Sequence, residues 1–322
     1  MVKKRVGFIG FGGQAAEQAE FVNQTESGVV VAISDVNLAI KDSMLDEFLA
    51  LPFYVDYKEM ILSEDLDVVF IAIPHYLHAE ASMFAIEHGV EVIKEKPLAM
   101  NMLEGQQIVN LSKQKQVSIK TLTQRRQHDA FIFGKSLLSK LGDVNLIKAE
   151  YTFNGGPYDY GWRGIQRIAG GGAAFDMGYH ILDVLLWYFD TPKYVNALLK
   201  SDSRKDVSYE TEDSGIISFV TNSGALGNVF LSRATSPKKE ELIIYGSEGI
   251  LDISRSRVIL KDQKGNLLIE KNFDKSWDNS IIGQLELFFE DSSNEHGDEH
   301  LKHLRLLEAI YQSNDLLKTV EV

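Results

Sequence analysis

The amino-acid sequence predicts an α/β protein of two domains, a doubly wound parallel sheet followed by an α/β domain with a mostly antiparallel sheet. Three observations lead to this fold class. Short apolar runs alternate with helical stretches in roughly the first 120 residues, a glycine-rich turn follows the first run, and apolar runs separated by turn residues follow one another after residue 193. A chain of 322 residues is long enough for two such domains.

The alternation of strands and helices predicts the parallel sheet. Strands that alternate with helices pair in parallel, and the helices cover both faces of the sheet. Gly89 ends the second helical stretch, as glycine commonly does. The predicted strands are residues 6–9, 29–34, 68–73 and 90–93, and the helical stretches between them include 14–23 and 78–88.

The second half of the chain predicts a different sheet. Between residues 193 and 269, turn signals separate apolar runs, and strands adjacent in sequence favour antiparallel pairing. We therefore expect domains at 1–122 and 123–322, with the helix at 300–312 as a candidate to pack back on the first domain. The other predicted elements of this half are a strand at 144–153, a loop rich in glycine and aromatic residues at 155–172, and helices at 173–189 and 300–311.

The balance of charge limits the classes of partner. With 33 basic and 46 acidic residues, the net charge is -13, which repels phosphate backbones and anionic membrane surfaces. The chain contains no cysteine, and this excludes disulfides, thiolate nucleophiles and iron–sulfur clusters. No apolar stretch has the length of a signal-peptide core or a membrane span. We expect a cytoplasmic protein that binds neither nucleic acid nor membrane.

The turn Gly10-Phe11-Gly12-Gly13-Gln14-Ala15 matches the dinucleotide-binding pattern GxGxxG/A and follows a predicted strand. Gly10 allows the tight turn, Gly12 lets the backbone approach a pyrophosphate, and Ala15 permits close packing of helix on strand. The helix N-terminus offers N–H groups and a positive dipole end to phosphates. A glycine-rich turn without a ligand is the alternative, but the order of strand, glycines, helix, strand and acid favours a Rossmann domain.

Asp35 ends the second predicted strand, where a carboxylate accepts hydrogen bonds from ribose hydroxyls. Its negative charge repels a 2′-phosphate, and Val36 and Asn37 supply no cation to hold one. The sequence therefore predicts NAD as the cofactor in preference to NADP.

The fourth strand leads into Lys94-Glu95-Lys96-Pro97. Residues just past the carboxyl end of a strand face the ligand crevice of an open α/β sheet, so we expect Lys96 near the nicotinamide and Pro97 to fix the backbone. An ammonium group there stabilises the alkoxide that develops as hydride leaves a carbinol carbon. The alternative is a solvated lysine on a charged turn, and we expect Lys94 to be one.

A second chemical motif is Asp176, His180 and Asp183, which follow three glycines at 170–172. The spacing of four and three places all three residues on one face of the helix predicted at 173–189. His180 suits a general base for the hydroxyl proton, and Asp176 suits a ligand for a substrate hydroxyl or a group that tunes the lysine. The alternative is a helix-capping aspartate with a satisfied core histidine, but buried polar pairs are costly unless used.

The loop before this helix supplies candidates for substrate binding. Aromatic faces pack on the C–H faces of sugars, and arginines hold hydroxyls, carboxylates or phosphates. Packing between domains is the alternative role of the aromatic residues. The candidates are Tyr158, Trp162 and Arg163, with Arg126 from an earlier segment.

These motifs together resemble the Gfo/Idh/MocA oxidoreductases, relatives of glucose–fructose oxidoreductase and inositol dehydrogenase. The matching motifs are the turn at 10–15, Ile73-Pro74 with His78, Glu95-Lys96-Pro97, Trp162-Arg163 and the glycine-led helix with Asp176, His180 and Asp183. The resemblance covers essentially the whole chain.

The resemblance implies a Rossmann domain and an open-faced, mostly antiparallel sheet that supports homodimers or homotetramers. It implies hydride transfer with sugars, polyols or nucleotide sugars, and it assigns Lys96, Asp176 and His180 to catalysis. The cofactor contacts it implies are Phe11, Gly13, Gln14, Ile73, Pro74, His75, His78, Glu95 and Pro97.

Two further patterns are interpreted as coincidental. Tyr54-x-x-x-Lys58 has the spacing of short-chain dehydrogenases but lies too early in the chain. His296-x-x-Glu299-His300 matches an inverted zinc-protease motif, but Gly297 stands at the expected helix start, so we predict no metal site.

The sequence therefore predicts an NAD(P)-dependent oxidoreductase that acts on a secondary alcohol or ketone of a sugar-like small molecule. Two other classes of function remain open at this point. One is a dinucleotide-binding regulator without turnover, and the other is an NAD-dependent glycosidase or lyase whose reaction is redox-neutral overall.

Overall fold

A computed structural model describes residues 2–154, 160–291, 293 and 295–322. The chain divides into two compact units. The first comprises Met1–Leu122 with Asp278–Leu301, and the second comprises Thr123–Trp277 with Lys302–Val322.

The described residues form fifteen strands. They are β1 (Lys4–Ile9), β2 (Gly28–Ser34), β3 (Phe53–Tyr54), β4 (Val68–Ile71), β5 (Glu91–Lys94), β6 (Ile119–Thr121), β7 (Val144–Asn154), β8 (Tyr194–Lys200), β9 (Ser214–Val220), β10 (Leu226–Ser232), β11 (Ala234–Gly246), β12 (Gly249–Ser254), β13 (Arg257–Asp262), β14 (Leu267–Asn272) and β15 (Val320–Glu321).

Ten α-helices accompany these strands in the described ranges, and a π-helical turn at Ala173–Met177 directly precedes the eighth. The helices are α1 (Gly13–Gln24), α2 (Asp46–Leu49), α3 (Tyr57–Ser63), α4 (His78–Glu87), α5 (Met102–Lys115), α6 (Asp129–Ser136), α7 (Gln166–Ala169), α8 (Tyr179–Phe189), α9 (Asp278–Glu290) and α10 (Asp298–Leu316).

The first unit contains a six-stranded parallel sheet in the order β3-β2-β1-β4-β5-β6. The predicted parallel sheet is therefore confirmed. All four residues of β4 are buried, as expected for a strand covered on both faces. Because the strands are parallel, their carboxyl ends meet at one edge, and every loop that follows a strand there belongs to the same edge.

Helix α9 is part of the first unit although it lies far along the chain. A Cβ atom placed on Gly28 would lie 2.6 Å from the ring of Phe289, so the glycine leaves room for that ring. Lys120, on β6, is buried and donates to the carbonyl oxygens of Phe288 (2.8 Å) and Asp291 (3.1 Å). These contacts supply a donor to carbonyls at and just after the C-terminal end of α9, where helical carbonyls lack intrahelical partners.

The second unit is built on a nine-stranded sheet in the order β14-β13-β12-β11-β7-β10-β9-β8-β15. Only β7 and β10 pair in parallel, and every other neighbouring pair is antiparallel. The prediction of a mostly antiparallel sheet is confirmed.

One face of this sheet is buried against the core, and the other face is exposed. On β9, Gly215, Ile217 and Phe219 are buried, whereas the alternate residues point away from the core. The core on the buried face includes apolar residues of α8 and α10. The opposite face exposes the apolar side chains of Leu146, Leu198, Ile216, Leu226 and Phe230.

The helix expected at 173–189 is divided. Residues Ala173–Met177 form the π turn, and α8 begins at Tyr179. π-Helical turns are rare and are often found at functional sites. In the described part of the chain, no helix combines the length and the apolar character needed to cross a membrane.

Candidate active site

The glycine turn after β1 has the geometry of a phosphate-binding loop. Gly10 has φ +84°, and a Cβ atom placed there would lie 2.5 Å from the carbonyl oxygen of Ala72. By contrast, no described atom lies within 4 Å of a Cβ atom placed on Gly12 or Gly13. The turn is therefore packed tightly against neighbouring backbone at Gly10, whereas space for a ligand is free beside Gly12 and Gly13.

Helix α1 begins directly after this turn. Gly12 occupies the N-cap, no side chain caps the helix, and its first turn contains no acidic residue. The positive end of the helix dipole is thus left for an anion. Together with the open space beside Gly12 and Gly13, this end fits a dinucleotide pyrophosphate.

Asp35 follows β2 at the same edge of the sheet. Its Oδ2 accepts a hydrogen bond from the backbone N–H of Phe11 (2.7 Å), and its Oδ1 accepts one from the N–H of Asn37 (2.8 Å). These bonds hold the carboxylate beside the glycine turn, where ribose hydroxyls are bound in Rossmann domains. The Phe11 side chain is buried and packs edge-to-face on Phe8 and Phe48.

His78 connects the loops that follow β4 and β5. Its Nε2 lies 2.9 Å from the carbonyl oxygen of Ile73, and its Nδ1 lies 3.0 Å from that of Pro97. Burial, reinforced by Lys94 and His75, lowers the pKa of His78 well below its ordinary value. Both ring nitrogens face backbone carbonyls, and because a neutral imidazole carries one N–H, His78 donates to one of them and lies in contact with the other. His75, also buried, lies edge-to-face against the His78 ring.

Lys96 lies in the loop after β5, at the same edge as the glycine turn. The N–H of the preceding Glu95 donates to Ile71 (3.0 Å), and the Lys96–Pro97 peptide bond is cis. The expectation that Lys94 is solvated is wrong, because this side chain is completely buried. Lys94 lies on β5, between β4 and β6, and its Nζ donates to the carbonyl oxygen of Leu98 in the loop that follows.

In the second unit, the segment that carries Asp176 and His180 is fixed by close backbone contacts. A Cβ atom placed on Gly172 would lie 2.0 Å from the carbonyl oxygen of Glu212, so only glycine fits there. The Glu212 side chain accepts a hydrogen bond from the N–H of Ala174 (2.9 Å) and another from Tyr311 Oη (2.8 Å). The sequence analysis missed Glu212, because a lone glutamate before a strand carries no local signal.

Asp176 and His180 are half-buried, and both lie on the segment that runs from the π turn into α8. Asp176 Oδ2 lies 3.1 Å from Nε of Arg163, whose guanidinium stacks over the Trp162 ring at 4.4 Å. The structure thus brings Trp162, Arg163 and Asp176 into contact, and His180 lies four residues further along the same segment. Tyr158 lies outside the described residues.

Asp183 differs from Asp176 and His180 because it is buried in the interior. It accepts hydrogen bonds from Arg126 Nη2 (2.7 Å) and from His303 Nε2 (2.8 Å). Burial opposes its ionisation, but the His303 hydrogen bond and the Arg126 charge outweigh this and lower the pKa of Asp183 to about 2. The guanidinium of Arg126, predicted to bind substrate, is therefore engaged by Asp183. Tyr179 stacks on the His303 ring.

The patterns interpreted as coincidental have other partners. Tyr54 Oη donates to Glu64 (2.7 Å), and Lys58 pairs with Glu80 (2.7 Å). His296 Nδ1 and Ser112 Oγ form a hydrogen bond of 2.8 Å. Within the described ranges, no group of three or more metal-ligating side chains comes together.

Two family models match the chain. The model described as an oxidoreductase family with an NAD-binding Rossmann fold matches residues 4–121. The model of the GFO/IDH/MocA C-terminal domain matches residues 138–252. Each match lies within one of the two units described above.

Curated relatives of the chain are named as dehydrogenases. Trans-1,2-dihydrobenzene-1,2-diol dehydrogenase of Xenopus laevis is 26% identical over 203 residues, 62% of this chain and 59% of the relative. The NADP(+)-dependent scyllo-inositol 2-dehydrogenase of Bacillus subtilis is 27% identical over 208 residues, 62% of this chain and 58% of the relative. The matched region thus spans less than two thirds of either relative.

Among solved structures, levoglucosan dehydrogenase in complex with NADH and L-sorbose has a TM-score of 0.88 and 20% sequence identity. The alignment covers 100% of this chain and 99% of that one. At this identity, the likeness establishes the fold alone.

Proposed function

Since the chain belongs to the Gfo/Idh/MocA family of oxidoreductases, we propose that it is an NAD-dependent dehydrogenase or reductase acting on a secondary alcohol or ketone of a sugar-like substrate. One observation carries the proposal. The loop of Lys96 and the glycine turn lie at the same edge of the parallel sheet, and His78 and Asp35 hold both by hydrogen bonds. This common edge supports a role for the Lys96 ammonium in stabilising the oxyanion of alcohol oxidation.

The residues that would hold the dinucleotide are those of the carboxyl edge. Gly12, Gly13 and the first turn of α1 would bind the pyrophosphate, and Asp35 would accept hydrogen bonds from the ribose. When bound, the nicotinamide accepts hydride from a carbinol carbon or donates it to a carbonyl carbon.

The chain's own residues would manage the charge and the proton of the reaction. Lys96 would stabilise the oxyanion that develops at the reacting carbon, because an ammonium group shielded from bulk water interacts strongly with it. His180 would take the hydroxyl proton in the direction of oxidation and return it in the direction of reduction. Asp176, paired with Arg163, would bind a substrate hydroxyl near His180.

The substrate class proposed here is a cyclic polyol, a sugar or a nucleotide sugar. Relatives named for a cyclic diol, an inositol and levoglucosan support this class, since each name denotes a ring that carries secondary hydroxyls. Trp162 would pack against the C–H face of such a ring, and its stacking on Arg163 would fix the indole.

The decisive experiment measures absorbance of reduced nicotinamide with purified protein, NAD or NADP, and a panel of polyols, aldoses, keto sugars, sugar phosphates and nucleotide sugars. Turnover with one class supports the proposed function and identifies that class. Tight NAD binding without turnover of any panel member would contradict it and favour a regulator. Product formation without net reduced cofactor would favour a redox-neutral enzyme.

We also propose that Asp35 makes the protein prefer NAD to NADP. Two unit charges about 4 Å apart interact by about 4 kcal/mol near a protein surface, so a carboxylate strongly disfavours a 2′-phosphate. The Asp35→Asn variant keeps the shape of the side chain but removes its negative charge. It should lower the ratio of kcat/KM with NAD to kcat/KM with NADP by at least about 10-fold.

The matched control for this variant is Asp56→Asn. Asp56 caps α3 by accepting a hydrogen bond from the N–H of Lys58, and it has no part in the proposed site. The ratio should be unchanged in the control. An unchanged ratio in Asp35→Asn would refute the assigned role of Asp35.

We propose a homodimer or homotetramer formed through the outward face of the nine-stranded sheet. Leu198, Ile216 and Phe230 are neighbours on three adjacent strands, and all three are exposed. A contiguous apolar patch on a sheet face is typical of an interface.

Light scattering should show an oligomer for the wild type and a smaller species for Ile216→Glu. Leu62→Glu, at an exposed site in the first unit, should leave the mass unchanged. A monomeric wild type would reject the proposal.

A further inference from the structure

Lys94 is a buried lysine whose only hydrogen bond partner in the described structure is a backbone carbonyl. Its Nζ donates to the carbonyl oxygen of Leu98 at 2.5 Å, and the side chain is completely buried. Burial lowers the pKa of Lys94 well below its ordinary value, while the charge of Glu104 opposes that change. A lysine in the interior is costly, and an apolar residue would fill the same space without that cost.

The carbonyl that Lys94 binds belongs to the loop of Lys96. Three points of this loop contact neighbouring elements: the N–H of Glu95 donates to the Ile71 carbonyl, the carbonyl of Pro97 lies 3.0 Å from His78 Nδ1, and the carbonyl of Leu98 accepts from Lys94. Leu98 itself is completely buried. The backbone on both sides of Lys96 is thereby fixed to strands β4 and β5 and to helix α4.

From this arrangement we infer that Lys94 is a positioning residue for Lys96, acting with His78 through the carbonyls of Pro97 and Leu98. The inference rests on the role of Lys96 in the proposed function. A lysine side chain has four rotatable bonds, so the position of its ammonium group depends on how firmly its backbone is held. Catalytic groups require placement within about 0.5 Å, and a misplacement of about 1 Å costs up to about 100-fold in rate.

Lys120 provides a matched control for a merely structural role. It is also a buried lysine on an adjacent strand of the same sheet, and its Nζ also donates to backbone carbonyls. Its partners, Phe288 and Asp291, belong to the end of α9 rather than to the loop of Lys96. Removal of either amine leaves a backbone carbonyl without this donor, so both losses should reduce stability.

The experiment compares Lys94→Met with Lys120→Met in the full-length chain. Five quantities are measured: the free energy of unfolding, kcat, KM with the best panel substrate, the dissociation constant for NAD, and hydrogen exchange of the amides of residues 95–99 without cofactor. Both variants should be less stable than the wild type. Only Lys94→Met should lower kcat, by about 10- to 100-fold, and only it should speed exchange in the loop. The dissociation constant for NAD should stay within about 3-fold of the wild-type value, because the glycine turn is untouched.

Equal kcat and equal loop exchange in Lys94→Met and the wild type would overturn the inference, as would an equal loss of kcat in Lys120→Met. If Lys94→Met yields no folded protein, His78→Gln decides the question. A lower kcat with retained NAD affinity in His78→Gln supports positioning, and an unchanged kcat rejects it. Failure of the proposed function is recognised separately, since the wild type would then bind NAD and turn over no panel substrate.

Discussion

Replacing Lys96 with methionine is expected to lower kcat by about 1000-fold while leaving NAD affinity nearly unchanged. Removal of a single group that stabilises a developing oxyanion typically costs about 100- to 1000-fold in rate. Methionine has nearly the length of lysine, so the loss of charge is separated from the loss of volume. Stopped-flow and steady-state absorbance of reduced nicotinamide would measure the rate, and calorimetric titration would measure NAD affinity.

The control is Lys115→Met, which removes an exposed lysine from the last turn of α5 in the same unit. Its kcat should equal that of the wild type. Retention of more than about a tenth of wild-type kcat by Lys96→Met would contradict the catalytic role, since general acid–base and electrostatic contributions exceed that size. A parallel loss of NAD affinity would instead indicate that Lys96 binds the cofactor.

The second large effect is expected from Asp183→Asn, which should lower the free energy of unfolding by about 3–5 kcal/mol at pH 7. This is the usual result of removing one member of a buried ion pair, because the remaining charge keeps its desolvation cost. Arg126 would face a neutral amide, and His303 would lose its carboxylate acceptor. Urea denaturation of both proteins would measure the difference.

The pH dependence offers an independent check on Asp183. Its pKa in the folded protein, about 2, is below the ordinary value of 3.8. The carboxylate therefore contributes fully above pH 5, and its contribution of about 2 kcal/mol is lost as the pH falls toward 2. The stability difference between wild type and Asp183→Asn should shrink over this range. A constant difference would indicate that the substitution acts through packing alone.

Asp190→Asn is the matched control, because Asp190 follows the same helix and pairs with Lys302 of α10. That pair is exposed, and exposed ion pairs contribute at most about 1 kcal/mol. If Asp190→Asn lowers the free energy of unfolding as much as Asp183→Asn does, any ion pair between α8 and α10 has the same effect on stability. Burial would then not be the cause.

The sequence predicted the structure best at positions where a single physical requirement explains the residue type. Gly10 is required by a positive φ and by the approach of Ala72, so the turn could be recognised from its glycines. The parallel sheet followed from apolar runs of regular spacing. Strands β3 and β6 were missed because they have only two and three residues, too few to show a period.

Contacts within the folded interior are the part of the site that the sequence did not reveal. Lys94 was expected in solvent because nothing local marks a lysine that binds a carbonyl four residues later in the interior. Arg126 remains a predicted substrate ligand, and its contact with Asp183, 57 residues later, carries no local signal in the sequence. The acidic and basic members of such a pair are visible in the sequence, whereas their contact depends on the packing of α8.

The assignment of residues Asp278–Leu301 to the first unit also bears on how the chain folds during synthesis. The ribosome releases residues up to Leu122 long before α9, yet Gly28 packs on Phe289 and Lys120 binds carbonyls at the end of α9. Vectorial folding of the N-terminal segment therefore stalls at an incomplete core until residue 301 has emerged. We expect nascent chains that end near residue 277 to be open to protease and to chaperones in their N-terminal region. We expect the core of this region to be complete only after α9 has been synthesised and has packed against it.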